Sequence, residues 1–191
     1  MWYVVQCVSG REESAIEKCR NALNSKLAPK IFSPICQFQK RYEGLWHTVE
    51  QIAFPGYILI ESSQPAELEK LLQRISGVVV PVRIGGGFFP MREEEEAFLR
   101  EMLDERDCIR FSVGYLVDGT LVVSSGPLKE KGNFVRRIDR HKRIAELGLS
   151  LLGEERRVKV GLEVKAKLTG EEWRKQTCLP DLSEGVCVHE G

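Results

Sequence analysis

The sequence predicts an α+β fold, a mainly antiparallel sheet flanked by helices and followed by a small all-β barrel. Three observations carry that expectation. Residues 2–103 alternate β-branched, aromatic runs with one-sided helical patterns, whereas residues 113–168 hold only short β runs separated by glycine. The charge balance also changes between the two stretches. Residues 113–170 contain twelve Lys or Arg against seven Asp or Glu, and residues 1–112 contain fourteen against sixteen.

Trp2–Val8 is β-branched and aromatic, and Ser9-Gly10 ends it. From Glu12 to Leu27, Ala15, Ile16, Cys19, Leu23 and Leu27 recur at three- and four-residue spacings, which predicts an amphipathic helix. Ile31–Arg41 reads as an irregular extended strand, and Val49–Glu61 as a further strand interrupted at Pro55-Gly56. Pro65 opens a helix to Ile75 with Leu68, Leu71, Leu72 and Ile75 on its apolar face, and Gly77 stops it. Val78–Ile84 is a short strand and Gly85-Gly86-Gly87 a loop tip. Pro90 introduces a helix from Glu93 to Leu103 whose first-turn carboxylates suit the positive end of its dipole. The order β-α-β-β-α-β-α matches an antiparallel sheet with helices packed on it, as in ferredoxin-like folds. Beyond Val113 the β runs are Leu121–Val123, Asn133–Ile138, Arg143–Leu152, Arg156–Val160 and Leu162–Lys167, the pattern of a small barrel. The expected division is residues 1–110, residues 111–170 and a polar tail, 171–191, with little order and Trp173 as its one large anchor.

The bulk composition narrows the function classes. With 42% hydrophobic and 29% charged residues, the chain reads as globular. No apolar run approaches the roughly 18 residues of a membrane span, and the first residues turn polar too soon for a signal peptide. The six cysteines form no CxxC pair, which favours a reduced, cytoplasmic setting. Cys178, Cys187 and His189 lie close in sequence, but their spacing matches no zinc pattern. His47, His141 and His189 are scattered, and there is no G-x-S-x-G, H-E-x-x-H or P-loop. The reading is therefore non-enzymatic, with no cofactor and no metal. The Glu93–Glu96 run reads as a solvated helix face.

Two segments stand out. Between Lys129 and Arg143 seven basic residues (Lys129, Lys131, Arg136, Arg137, Arg140, Lys142, Arg143) meet only Glu130 and Asp139, in a chain of formal net charge +0. Gly-Pro and Gly-Asn turn signals and the apolar Phe134 and Ile138 place this charge on a folded surface, the kind that meets phosphate. The second is Phe54-Pro55-Gly56-Tyr57. It is either a β-bulge with two core aromatics or an exposed aromatic edge made by the Pro-Gly break.

Trp2-Tyr3-Val4-Val5 with Ser9-Gly10, then Phe54-Pro55-Gly56-Tyr57-Ile58, then Val123-Ser124-Ser125-Gly126-Pro127 with Gly132 and Val135, resemble NusG/Spt5-type transcription factors. The resemblance spans nearly all of residues 1–168. It implies an amino-terminal NGN domain that docks on the clamp helices of RNA polymerase, and a KOW domain, a five-stranded SH3-like barrel. The family's docking patch falls on Phe54, Pro55 and Tyr57, with Trp2 beneath or beside it. The stretch Ile138–Arg143, with Gly153-Glu154-Glu155 and Val160–Val164, is similar to specialised bacterial antiterminator paralogues known as LoaP. That likeness implies operon-specific elongation control and RNA contact through the KOW domain. On the basic run itself, the expected contacts to a nascent RNA hairpin are Lys129, Lys131, Arg136, Arg137, Arg140, His141, Lys142 and Arg143. The expected protein is a monomer that makes no membrane contact. One alternative is a general elongation factor whose barrel binds ribosomal or termination proteins. Another is recruitment through non-template DNA, with Arg74, Arg83 and Arg92 as contacts.

Overall fold

The structure is a computed structural model that describes residues 1–75, 77–83, 85–151, 154–177, 186–187 and 189–190. Strand β1 (Trp2–Cys7) lies inside a four-stranded antiparallel sheet of order β2-β5-β1-β6, with β2 at Lys30–Phe32, β5 at Tyr57–Glu61 and β6 at Val79–Pro81. The period-two alternation splits β1 between two cores. Tyr3 and Val5 face α1 (Glu12–Ala22) and α2 (Pro65–Arg74), packing with Ile16, Cys19, Leu68 and Leu72. Trp2 and Val4 face the other way, toward Leu99 and Met102 of α3 (Glu93–Met102).

The irregular strand expected over 31–41 resolves differently. Strands β3 (Ile35–Tyr42) and β4 (Leu45–Ile52) form a regular hairpin, closed by Glu43-Gly44 with φ of 51° and 77°. Positive φ at both central residues is the mark of a type I′ turn, which Glu-Gly does not advertise as Asn-Gly does. The first helix stops at Ala22, short of the expected Leu27. Asn24 accepts the amide of Leu27 on its side chain at 2.8 Å and diverts the backbone into a turn. Leu23 and Leu27 stay buried all the same.

Strand β7 (Cys108–Ile109) runs parallel to β3, and β8 (Ser112–Val117) begins two residues after it ends. Strands β8, β9 (Thr120–Ser125), β10 (Val135–Asp139), β11 (Ile144–Leu151) and β12 (Glu154–Leu168) follow in spatial order β9-β8-β12-β11-β10. They enclose Leu116, Leu121, Leu128, Val135, Ile138, Ala145, Leu147, Val158, Val160 and Leu162. Asp118-Gly119 closes β8 on β9 with φ of 50° and 83°, a second type I′ hairpin. The two-residue strands β13 (Val186–Cys187) and β14 (His189–Glu190) add to the outer edges.

The apolar cluster of the barrel is continuous with the Trp2–Val4 face of the first sheet. Gly161 explains the close approach. It lies inside β12, not at a break between two strands, and a Cβ there would collide with the Gln37 carbonyl on β3 and the Phe111 ring. Where little order was expected beyond residue 170, Gly170–Thr177 forms α4. Thr169 and Glu172 satisfy each other's amides (2.8 and 3.3 Å), a capping box, and the Trp173 ring packs 5.1 Å from that of Tyr115. Cys178 lies outside the described residues. Cys7, Cys19, Cys36 and Cys108 are free thiols. Burial pushes Cys19 up to about 11 and Cys36 up to about 12, so neither is a nucleophile.

Candidate functional site

The Phe54–Tyr57 segment is a tight turn and not a bulge. The Tyr57 amide donates to the Phe54 carbonyl at 3.1 Å, Pro55 takes the second position, and Gly56 the third with φ of +83°. That is the sequence signature of a type II turn. Two further bonds fix it. The Cys7 amide donates to the Gly56 carbonyl at 2.9 Å, and the Gly56 amide donates to Glu12 Oε1 at 2.7 Å. Glu12, only 3% exposed, also accepts the Gly10 amide at 3.1 Å. Burial raises its pKa, but the amides of Gly56, Glu12 itself and Gly10 outweigh that and hold the carboxyl below its ordinary value. A buried carboxylate at the head of α1 therefore clamps the aromatic turn. Pro55 is exposed, while Phe54 and Tyr57 are half-buried.

Trp2 is not in this patch: it pairs with Glu61, at the far end of β5 from Tyr57. At 1% exposure it is core, T-stacked on Phe32 at 5.2 Å, and the Arg100 guanidinium sits 4.2 Å over its ring. Its amide donates to Glu96 at 2.8 Å, and Glu95 is buried, so the Glu93–Glu96 run is not a uniformly solvated face. Among the described residues no cluster of His, Cys, Asp or Glu could hold a metal.

The basic run divides into two groups. Lys129, Arg136, Arg137, Arg140, His141 and Lys142 are exposed. Arg136 and Arg137 lie on β10, and Arg140, His141 and Lys142 occupy the turn into β11. Asp139 shapes that turn by accepting the Lys142 amide at 2.9 Å. Lys131 and Arg143 face inward as structural residues. Lys131 pairs with Glu101 of α3 at 2.8 Å. Arg143, in the left-handed region at φ of 54°, donates to Gln39, pairs with Glu163 at 2.9 Å and lies 3.9 Å over the Trp46 ring. Both tie the barrel to the first sheet system, helped by Phe98 against Phe134 at 4.6 Å. Of the three arginines near the glycine tip, Arg74 and Arg92 are exposed, whereas Arg83 is engaged by Glu69 and the Gly86 carbonyl.

The aromatic turn meets the barrel across the joint between the halves. Arg156 of β12 donates through Nη1 to the Tyr57 hydroxyl at 2.8 Å, with its guanidinium 5.0 Å from the Tyr57 ring centre. Phe54, Tyr57, Val4, Leu99, Arg156 and Val158 line an apolar cleft of about 190 Å³ at this contact. The aromatic turn is thus partly covered by the barrel.

A family model described as "Transcription termination factor nusG" matches residues 1–100, a little over half of the chain. The chain belongs to the NusG family. The match makes it a NusG-family transcription factor. A solved structure titled "Domain interaction in Thermotoga maritima NusG" superposes with a TM-score of 0.52 at 23% identity, covering 85% of this chain and 93% of that one. At that identity the likeness speaks for the fold, an antiparallel sheet with helices followed by a β-rich unit. None of the curated proteins compared matches the chain. Members of the family generally bind RNA polymerase and are generally not enzymes. No helix among the described residues is long and apolar enough to cross a membrane.

Sequence reasoning missed Glu12 and Arg156, whose partners lie 44 and 99 residues away. Arg156 carried no local signal, whereas Glu12 carried one, a charge in register with Ala15, Ile16 and Cys19 on the apolar side of α1.

Proposed function

We propose that this chain is a specialised antitermination factor of the NusG family. In this reading Phe54, Pro55 and Tyr57 dock on the clamp helices of RNA polymerase, and the exposed basic edge of the barrel recruits the protein through nascent RNA. The single observation that supports the RNA half is the placement of Lys129, Arg136, Arg137, Arg140, His141 and Lys142 together on the barrel surface, in a chain with no net charge to spare. An edge of this kind suits phosphate, with Arg giving bidentate contacts and Lys point charges. Structured RNA is read largely through shape and phosphate geometry, which a folded basic edge can follow.

Bridging the clamp favours the closed, elongating state of polymerase, a population shift that asks no bond chemistry of this protein. Two modest contacts joined in one chain raise overall affinity through effective concentration. Because Arg156 holds the Tyr57 hydroxyl, docking of the patch requires that side chain to release Tyr57.

Terminator readthrough by purified polymerase tests the reading. Wild-type protein should increase readthrough on templates carrying its leader RNA. The Phe54→Ala/Tyr57→Ala variant should lose the effect on every template, and Arg136→Glu/Arg137→Glu should lose only the leader dependence. Readthrough that survives loss of the aromatic patch overturns the docking half; equal activity with and without the leader overturns the RNA half.

A further inference from the structure

A second cleft, of about 750 Å³, opens between the β3–β4 hairpin and the barrel. Lys40 and Arg41 line it from the hairpin, and Lys142, Arg157 and Lys159 line it from the barrel, with His141 at the same wall. No carboxylate is among its lining residues. Among the described residues, the ion pairs of these cations are Asp139 to Lys142 at 3.5 Å and Glu146 to Arg157 at 4.0 Å, at basic side chains about three-quarters exposed, where pairing is weak. Five cations lining one concave site raise the local positive potential in a chain that is neutral on average. The half-buried Trp46, with Arg143 over one face of its ring, lines the same cleft and leaves its other face as the stacking surface that a base would require.

We propose that this cleft holds the phosphate backbone of a nucleic-acid strand, gripped jointly by both halves of the protein. His141 and Lys142 belong both to the cleft and to the exposed edge that continues along Arg140, Arg137 and Arg136. The result is a band of basic side chains, with Asp139 set among them, from the barrel surface into the joint. Evenly spaced phosphates match such a band, and bases can stack on the aromatic beside it. An acidic polypeptide would match the charge but not the combination with Trp46. The proposal deepens the RNA half of the function proposed above and rests on it, while adding a site that only the assembled chain provides. Lys40 and Arg41, which lie outside the basic run, become nucleic-acid contacts.

Fluorescence anisotropy of the full-length chain with a labelled 12-nucleotide oligouridine, and with the matching deoxy strand, tests this. At about 50 mM salt the Lys40→Glu/Arg41→Glu variant should bind at least about tenfold more weakly than wild type. Its log–log salt slope should fall by roughly 1.4, at about 0.7 per phosphate contact on a single strand. Circular dichroism should show an unchanged melting curve, since both residues are exposed. Wild-type affinity in this variant, with binding lost in Arg136→Glu/Arg137→Glu, overturns the shared cleft and leaves the barrel edge standing. Absence of binding by wild type to either strand overturns both. Displacement of the strand by polyglutamate at equal charge concentration overturns the nucleic-acid assignment in favour of an acidic protein. Tighter binding of the ribo strand supports the cleft with RNA as its source, and tighter binding of the deoxy strand supports it with DNA.

Discussion

The aromatic turn and the basic edge bind by opposite physical strategies. Phe54–Tyr57 is held by its own turn bond, by the Cys7 amide and by a buried carboxylate, so its geometry is over-determined and carries little charge. The edge at Arg136–Lys142 is exposed, with Asp139 shaping its turn and Arg136 donating to the Asn133 carbonyl at 3.0 Å. Shape is stored in the first and charge density in the second. A partner of the turn is chosen by fit and should be nearly indifferent to salt. A partner of the edge is attracted at a distance and should weaken steadily as salt rises.

Four perturbations sharpen that contrast. The largest effect is expected at the joint that keeps the two regions in register. Gly161→Val drives a side chain into Gln37 and Phe111 and should cost about 3 kcal/mol, on the order of 10 °C in melting temperature for a chain of this size. Next, Arg136→Glu/Arg137→Glu should reduce RNA affinity about 100-fold at low salt while leaving the melting temperature unchanged, as equilibrium binding and thermal scans would show. A large loss of stability in that variant would break the separation between shape and charge.

A smaller effect falls on the turn. Glu12→Gln removes the charge from a buried acceptor and should cost about 1 kcal/mol at pH 7. Because the folded carboxyl is held below its ordinary value, its contribution is present above about pH 4.3 and is lost as pH falls through the folded value. Denaturant titrations of wild type and variant should therefore converge as pH falls below the folded value. The smallest change in stability, within about 1 kcal/mol, is expected for Arg156→Ala at a half-buried contact. Its sharper readout is function, since uncovering Tyr57 should raise affinity for polymerase, whereas a purely structural Arg156 would leave it unchanged.

Much of this could be read from local pattern. The alternation in Trp2–Val5, the Leu68–Leu72 spacing and the first-turn glutamates of α3 each set an element whose period is local, and the structure places strand or helix there. The charge concentration and the Pro-Gly break were equally visible. What escaped depended on tertiary neighbours or on weaker turn signals. Glu43-Gly44 closes a hairpin without the usual Asn, so the pairing across it went unread and the second strand was expected from Val49 where it begins at Leu45. Gly161 resembled a loop glycine because the reason for its missing side chain is a strand distant in sequence. Arg143 and Lys131 were counted with the basic edge because composition cannot tell an arginine facing solvent from one stacked on Trp46.

One strand borders both clefts. Along β12, Arg156 meets Tyr57 while Arg157 and Lys159, two residues apart and so on one face, line the basic cleft. A single stretch of backbone thus serves both sites, Arg157 and Val158 bordering the apolar cleft as well. Inserting or deleting one residue between them and Gly161 would exchange the two faces while leaving the composition nearly unaltered. In the divergence of related chains, this stretch should tolerate changes of side chain more readily than changes of length.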